Sequence, residues 1–247
     1  MLELLLLGGF VGFLSGFFGI GGGTILVPLL LFLGYDIKAA IGISVVQMMF
    51  SSIYGSYLNL KKGSLDVKMV SIIGLGGFVG ALFSGVIVAN VSGFTLQIVF
   101  LSFSVFALLR LFFKVKTHGK EKNAHPLILL IMGFIVGILG TSIGVGVSIL
   151  LVPILVGYFN IKLAKATSAS LFFVMYSSIS GFISQSLHGI IDYKTGLIIG
   201  VASLVGVYFG VIFKHKTSET LQRRSLVLFY VGVVSYLTYK TFFYKGR

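Results

Sequence analysis

Long apolar runs alternate with short polar turns along the whole chain. The runs fall at Leu2 to Leu33, Ala39 to Leu60, Val67 to Ala89, Phe94 to Phe113, Pro126 to Phe159, Leu163 to Leu187, Tyr193 to Phe213 and Leu221 to Phe243. A helix of about 20 apolar residues crosses the roughly 30 Å of hydrocarbon in a bilayer. The pattern therefore predicts an all-α, polytopic membrane protein of about eight hydrophobic segments.

Segments one and five do not fit a single crossing. At 1.5 Å per residue, Leu2 to Leu33 would make a helix of about 48 Å and Pro126 to Phe159 one of about 51 Å. Both are too short for two full crossings, and each is interrupted near its middle, at Gly19 to Gly23 and at Gly144 to Gly146. A broken or re-entrant helix in each place resolves the mismatch.

The chain also repeats itself. A shift of 125 residues lays Gly8, Gly12, Gly19, Gly21 and Pro28 on Gly133, Gly137, Gly144, Gly146 and Pro153. A shift of 126 matches Ser51, Ser52, Gly55, Gly63 and Asp66 with Ser177, Ser178, Gly181, Gly189 and Asp192. The expected division is a first repeat at 1–113, a basic linker at 114–125 and a second repeat at 126–247.

Charge then selects a topology. If all eight segments cross, the 19 Lys and Arg residues divide twelve against seven. If segments one and five are re-entrant, fourteen gather on one side and five remain opposite: Lys38, Lys194, Lys240, Lys245 and Arg247. The second division suits the positive-inside rule better. Each half then crosses three times, so the halves face opposite ways as an inverted repeat. Both termini are expected on the side away from the cytoplasm.

Composition agrees, with 57% hydrophobic and 10% charged residues and a mean hydropathy of +1.08. The formal charge of +13 lies between the segments and near the ends, where it reads as a topology signal attracted to anionic lipid and not as a nucleic-acid surface. Absence of cysteine excludes disulfides and thiolate chemistry, and no cofactor or metal is implied. The apolar N-terminal stretch has no basic n-region and is longer than a signal peptide's, so it is expected to be retained.

Candidate chemistry gathers at the two breaks. Backbone is interrupted at membrane depth only where protein or a wet cavity covers it, and glycine-rich backbone opening a helix offers N–H groups and a positive dipole end to an anion. Gly19, Gly21, Gly22, Gly23 and Thr24 form the first candidate, with Pro28 as its helix-break proline; Gly144, Gly146 and Ser148 form the second, with Pro153 as its helix-break proline. The competing explanation is close helix contact, which the spacing of Gly8, Gly12 and Gly16 predicts on its own account. Ser44, Gln47, Ser51, Ser168 and Ser177 on the second segment of each half could replace part of an oxoanion's hydration shell or simply bond neighbouring helices. Asp66, Asp192 and His188 are the candidates for proton coupling, with helix capping the alternative.

The Gly-x-Gly-Gly-Gly run before Val27-Pro28, the turns at Gly42 to Ser44 and Ala166 to Ser168, and the Gly63 to Asp66 and Gly189 to Asp192 elements resemble the sulfite exporter family TauE/SafE over nearly the whole chain. The resemblance implies a transporter of sulfite, organosulfonates, thiosulfate or related small anions. Ile43 departs from it, standing where the family's first turn usually has Thr.

The expected function is thus a secondary permease in the inner cell membrane whose partners are a small anionic solute and lipid. An anion channel and a non-transporting membrane subunit are the alternatives. An enzyme is not expected, because no catalytic Asp pair, His cluster or Ser with a neighbouring base lies within the spans.

Overall fold

The computed structural model describes residues 1–19, 21–61, 67–112, 125–146 and 148–243. Segment one is two helices, α1 (Leu2–Phe18) and α2 (Gly23–Phe32). There follow α3 (Ile37–Lys61), α4 (Val67–Ala81), α5 (Ser84–Asn90) and α6 (Gly93–Phe112). The second half has α7 (Pro126–Ser142), α8 (Ser148–Gly157), α9 (Leu163–Leu187), α10 (Tyr193–Lys216) and α11 (Glu219–Thr238), closed by a π-helical turn at Tyr239–Phe243. Every described element is helical.

Among the described residues, four stretches are long and apolar enough to cross a membrane: Ile37–Lys61, Met69–Asn90, Lys165–Leu187 and Tyr193–Lys214. The second of these runs through α4 and α5, a division that the apolar pattern does not predict. Outward-facing Leu6, Phe10, Leu75, Val79, Val201 and Val205 are exposed in the isolated chain, as side chains are that face lipid.

Glycine contacts establish the helix directions. A Cβ on Gly8, Gly12 or Gly16 would fall 2.6, 2.1 or 2.6 Å from the carbonyl oxygens of Ile199, Ser203 and Val207, so α1 and α10 run parallel at backbone contact. The related pair repeats this: Gly133 and Gly137 of α7 press on the carbonyls of Ile73 and Gly77 in α4. Gly196 meets Val46 and Gly200 meets Phe50, which sets α3 parallel to α10. Ser180 and Ser184 donate to the carbonyls of Phe78 and Leu82, which sets α9 parallel to α4. Ser52 meets Ser178 at 3.4 Å while Ser168 donates to Asn59 Oδ1 at 3.3 Å, so α3 and α9 cross antiparallel.

Two consequences follow. The set α1, α3 and α10 runs against the set α4, α7 and α9, which is the inverted repeat. Because α2 lies along α3 and turns through 33–36 into its start, it reverses α1; segment one dips into the bundle and returns to the side it left. The charge division that goes with this path is fourteen against five. The repeats also interlock, each giving its first helix to the other's third segment.

Glycine chemistry makes the reversal possible. Gly19 ends α1 in the left-handed region with φ 68°, its N–H bonded to Ser15 O at 2.8 Å; Gly21 and Gly22 follow at φ 67° and 36°. Side chains rarely adopt such angles, so three of them within four residues specify a break. In the break between α7 and α8, Gly144 alone takes such an angle among the described residues, at φ 67°.

Pro28 and Pro153 do not make the breaks, contrary to the reading of them as helix-break prolines. Each lies inside the returning helix, α2 or α8, beyond the glycines. Pro28 instead has no N–H to give the Thr24 carbonyl four residues back, which loosens the first turn of α2.

Candidate functional site

The breaks meet each other beside the α3–α9 crossing. Gly23, the first residue of α2, lies so close to the Gly144 carbonyl that a Cβ would stand 2.2 Å from the oxygen. Gly21 faces Gly146, whose Cα would be 3.4 Å from a Cβ at position 21. Ser44, wholly buried, donates to Gly144 O at 2.7 Å and stands beside Gly23 as well. One serine thus joins the second segment of the first repeat to both breaks.

Gln47, one helical turn after Ser44, packs on Gly22 at the start of α2. It is wholly buried, and neither end of its amide has a hydrogen-bond partner. Thr24, in the first turn of α2, is also buried with an unpartnered hydroxyl. The start of α2 therefore combines a positive dipole end with polar atoms that no described residue satisfies.

Other candidates are placed otherwise. Ser51 and Ser177 bond back to the carbonyls of Met48 and Val174 in their own helices, both at 3.3 Å, and Ser168 donates across to Asn59. Asp192 caps α10, accepting from Thr195 N at 3.1 Å and Thr195 Oγ1 at 2.6 Å. Those bonds hold its carboxyl below the ordinary carboxylate range. His188 is exposed at the end of α9, its Nδ1 2.8 Å from Ser184 O. Asp66 and residues 114–124 of the basic linker lie outside the described residues, as does the side chain of Ser148, which opens α8.

Two residues enter the site that sequence reasoning missed. Tyr230 of α11 is 1% exposed, and its hydroxyl points toward Thr24 without completing a hydrogen bond. Lys214, near the end of α10, donates to Thr167 Oγ1 at 3.2 Å, and its amine would lie 3.2 Å from a Cβ on Gly19. Ser170 completes this cluster by donating to Gly19 O at 3.4 Å. Lys214 reads in the sequence as one more loop cation, and Tyr230 as one more belt aromatic. Only their neighbours distinguish them.

Among the described residues, no cation stands against Gly144 at the second break. Gly144 is packed by Ile41 and Val27, and the repeat partner of Lys214 is the buried Val88.

Comparison with known proteins decides the family. The model of the sulfite exporter TauE/SafE family matches residues 4–237. The chain belongs to this family. Among its curated relatives, the "Probable membrane transporter protein YdhB" of Bacillus subtilis is 25% identical over 226 residues, 88% of this chain and 92% of its own. A "Probable membrane transporter protein" of Methanocaldococcus jannaschii is 31% identical over 199 residues, 74% and 72% of the two chains. "Sulfite exporter TauE/SafE family protein 6" of Arabidopsis thaliana is 25% identical over 108 residues, 44% of this chain and 25% of its own. No solved structure matches. This TauE/SafE protein is therefore a multi-pass membrane transporter.

Proposed function

We propose that this transporter is a secondary permease for small sulfur oxoanions, sulfite and organosulfonates foremost, binding them where the two broken segments meet. The observation that carries the reading is the start of α2: Gly22, Gly23, Thr24, Gln47 and Ser44 bring a helix N-terminus, a buried amide and two hydroxyls to the carbonyl of Gly144. Gly19, Gly21 and Gly146 shape the break, while Ser51, Ser168 and Ser177 line the neighbouring faces of α3 and α9.

Dipole ends and neutral donors replace an anion's water without trapping it as a fixed buried cation would. Burial of Gln47, Ser44 and Thr24 favours a gated permease over an open channel. Movement of one interlocked unit against the other would expose the site to each side in turn. Lys214 stands beside the Gly19 turn and would draw the anion toward the first break. We place the protein in the inner cell membrane with the end bearing fourteen positive residues in the cytoplasm.

The test is saturable flux of sulfite and taurine in proteoliposomes made from the full chain, with Gly22→Leu as the matched variant. Its side chain would displace the Gln47 amide, and transport is expected to disappear while the protein remains in the membrane. Wild-type flux in that variant would remove the break from the pathway.

A further inference from the structure

The amide of Gln47 carries more information than a generic polar lining. A Cβ on Gly22 would fall 2.2 Å from its Oε1 and 2.6 Å from its Nε2, so both ends of the amide face the residue that opens α2. A primary amide has N–H donors at one end and an acceptor at the other, and exchanging the two leaves both kinds of group at the break. Neither end is bonded. A ligand made only of acceptors would satisfy the nitrogen and leave the buried oxygen facing its own negative charge.

Charge narrows the ligand further. No Asp, Glu, His, Lys or Arg is among the buried side chains of the described residues, and Lys214, the cation beside the Gly19 turn, is half-buried and donates to Thr167. The start of α2 supplies the equivalent of about half a positive charge. That offsets a single negative charge in part and a double one poorly, since the cost of removing an ion from water rises with the square of its charge. The unbonded hydroxyls of Thr24 on the same first turn and of Tyr230 on α11 can each donate or accept.

Resting on the reading of this break as the anion site, we propose that it selects a monoanion carrying its own O–H or N–H donor, over dianions and over monoanions that only accept. Such a ligand donates to Gln47 Oε1 and accepts from Gln47 Nε2 and the first turn of α2. The protonated form of an oxoanion fits, and so does a sulfonate bearing an ammonium group. The proton would then cross on the solute itself, and no titratable side chain at the break is needed to carry it.

Two pairs of probes decide this in calorimetry on the purified full chain at mildly acidic pH. Hydrogensulfite and chlorate are pyramidal monoanions of similar size, and the monoanion of methylphosphonate matches methanesulfonate; within each pair only the first carries a hydroxyl. The donor-bearing member is expected to bind at least about tenfold tighter. Gln47→Met should bring the two members of a pair to within about threefold of each other. Sulfite binding should weaken as rising pH removes its proton. Equal binding of chlorate and hydrogensulfite, or of methanesulfonate and methylphosphonate, by the wild type would overturn the donor requirement and leave the anion site standing. Binding of none of the four would overturn both.

Discussion

Ser44 in the first repeat donates to the carbonyl of Gly144 in the second at 2.7 Å, a hydrogen bond between residues 100 positions apart that ties the two breaks together. Ser44→Ala removes the donor and takes this bond from a buried carbonyl. The expected loss is about 1 kcal/mol, set between the usual interhelical bond in a membrane and the cost of an unsatisfied buried carbonyl. Thermal unfolding in detergent measures it, and a midpoint equal to wild type would show that the bond contributes nothing.

Gly23 and Gly9 make a matched pair. A methyl at Gly23 would strike the Gly144 carbonyl at 2.2 Å and the Met48 sulfur at 2.6 Å, whereas one at Gly9 meets nothing within 4 Å. Gly23→Ala should lower transport by at least about tenfold, since separating the breaks by even an ångström misplaces the binding groups. Gly9→Ala should leave it unchanged. Equal effects in the same flux assay would sink the assignment.

Interlocking predicts paired consequences in the two repeats. Gly12→Val and Gly137→Val each push a side chain into a carbonyl of the other repeat, that of Ser203 at 2.1 Å and that of Gly77 at 2.4 Å from the Cβ position. Each should destabilise the protein by several kcal/mol, in the range of severe overpacking. Both should give misassembled protein in size-exclusion chromatography, whereas tolerance of either would contradict the close α1–α10 or α4–α7 contact.

Lys214 offers a charge at the first break and none at the second. Lys214→Met should raise the KM for anion several-fold, with a smaller effect on kcat, and reduce the dependence of uptake on ionic strength. Lys214→Arg should restore part of the affinity. Kinetics at two salt concentrations separate this from a structural role, in which KM would stay constant while active protein declined.

Asp192 is a cap, and its pH behaviour follows from that. Its carboxyl titrates lower in the folded chain than when free, so its contribution to stability is complete above the ordinary carboxylate range and is lost as pH falls through the lowered value. Asp192→Asn keeps a capping oxygen and should leave both stability and the pH profile of transport near wild type; Asp192→Ala should cost about 1 kcal/mol. A changed pH profile in the Asn variant would mark the carboxylate as a coupling group after all.

Much of this architecture is legible along the chain, because the signals are local. Apolar length marks the segments, and clustered glycines mark the turns that an L side chain resists. The recurrence of Gly8, Gly12 and Gly19 at Gly133, Gly137 and Gly144 exposes the duplication. Other expectations were legible but wrongly weighted: Pro28 reads as a helix breaker, yet it sits inside α2 because the glycines before it have already ended α1. The division of the third segment into α4 and α5 falls at Leu82 and Phe83, two apolar residues that give no sign of it.

By itself the sequence determined the membrane as solvent, the number and interruption of the segments, the duplication and the family. Tertiary structure alone decided which helices touch: a stripe of small residues such as Gly8, Gly12 and Gly16 fits any backbone that approaches it, and only the assembled bundle selects α10. It also decided which polar groups are left over. Whether Gln47 has a partner, or how deep Lys214 and Tyr230 lie, depends on neighbours more than a hundred residues away, and periodicity along one helix carries no record of them.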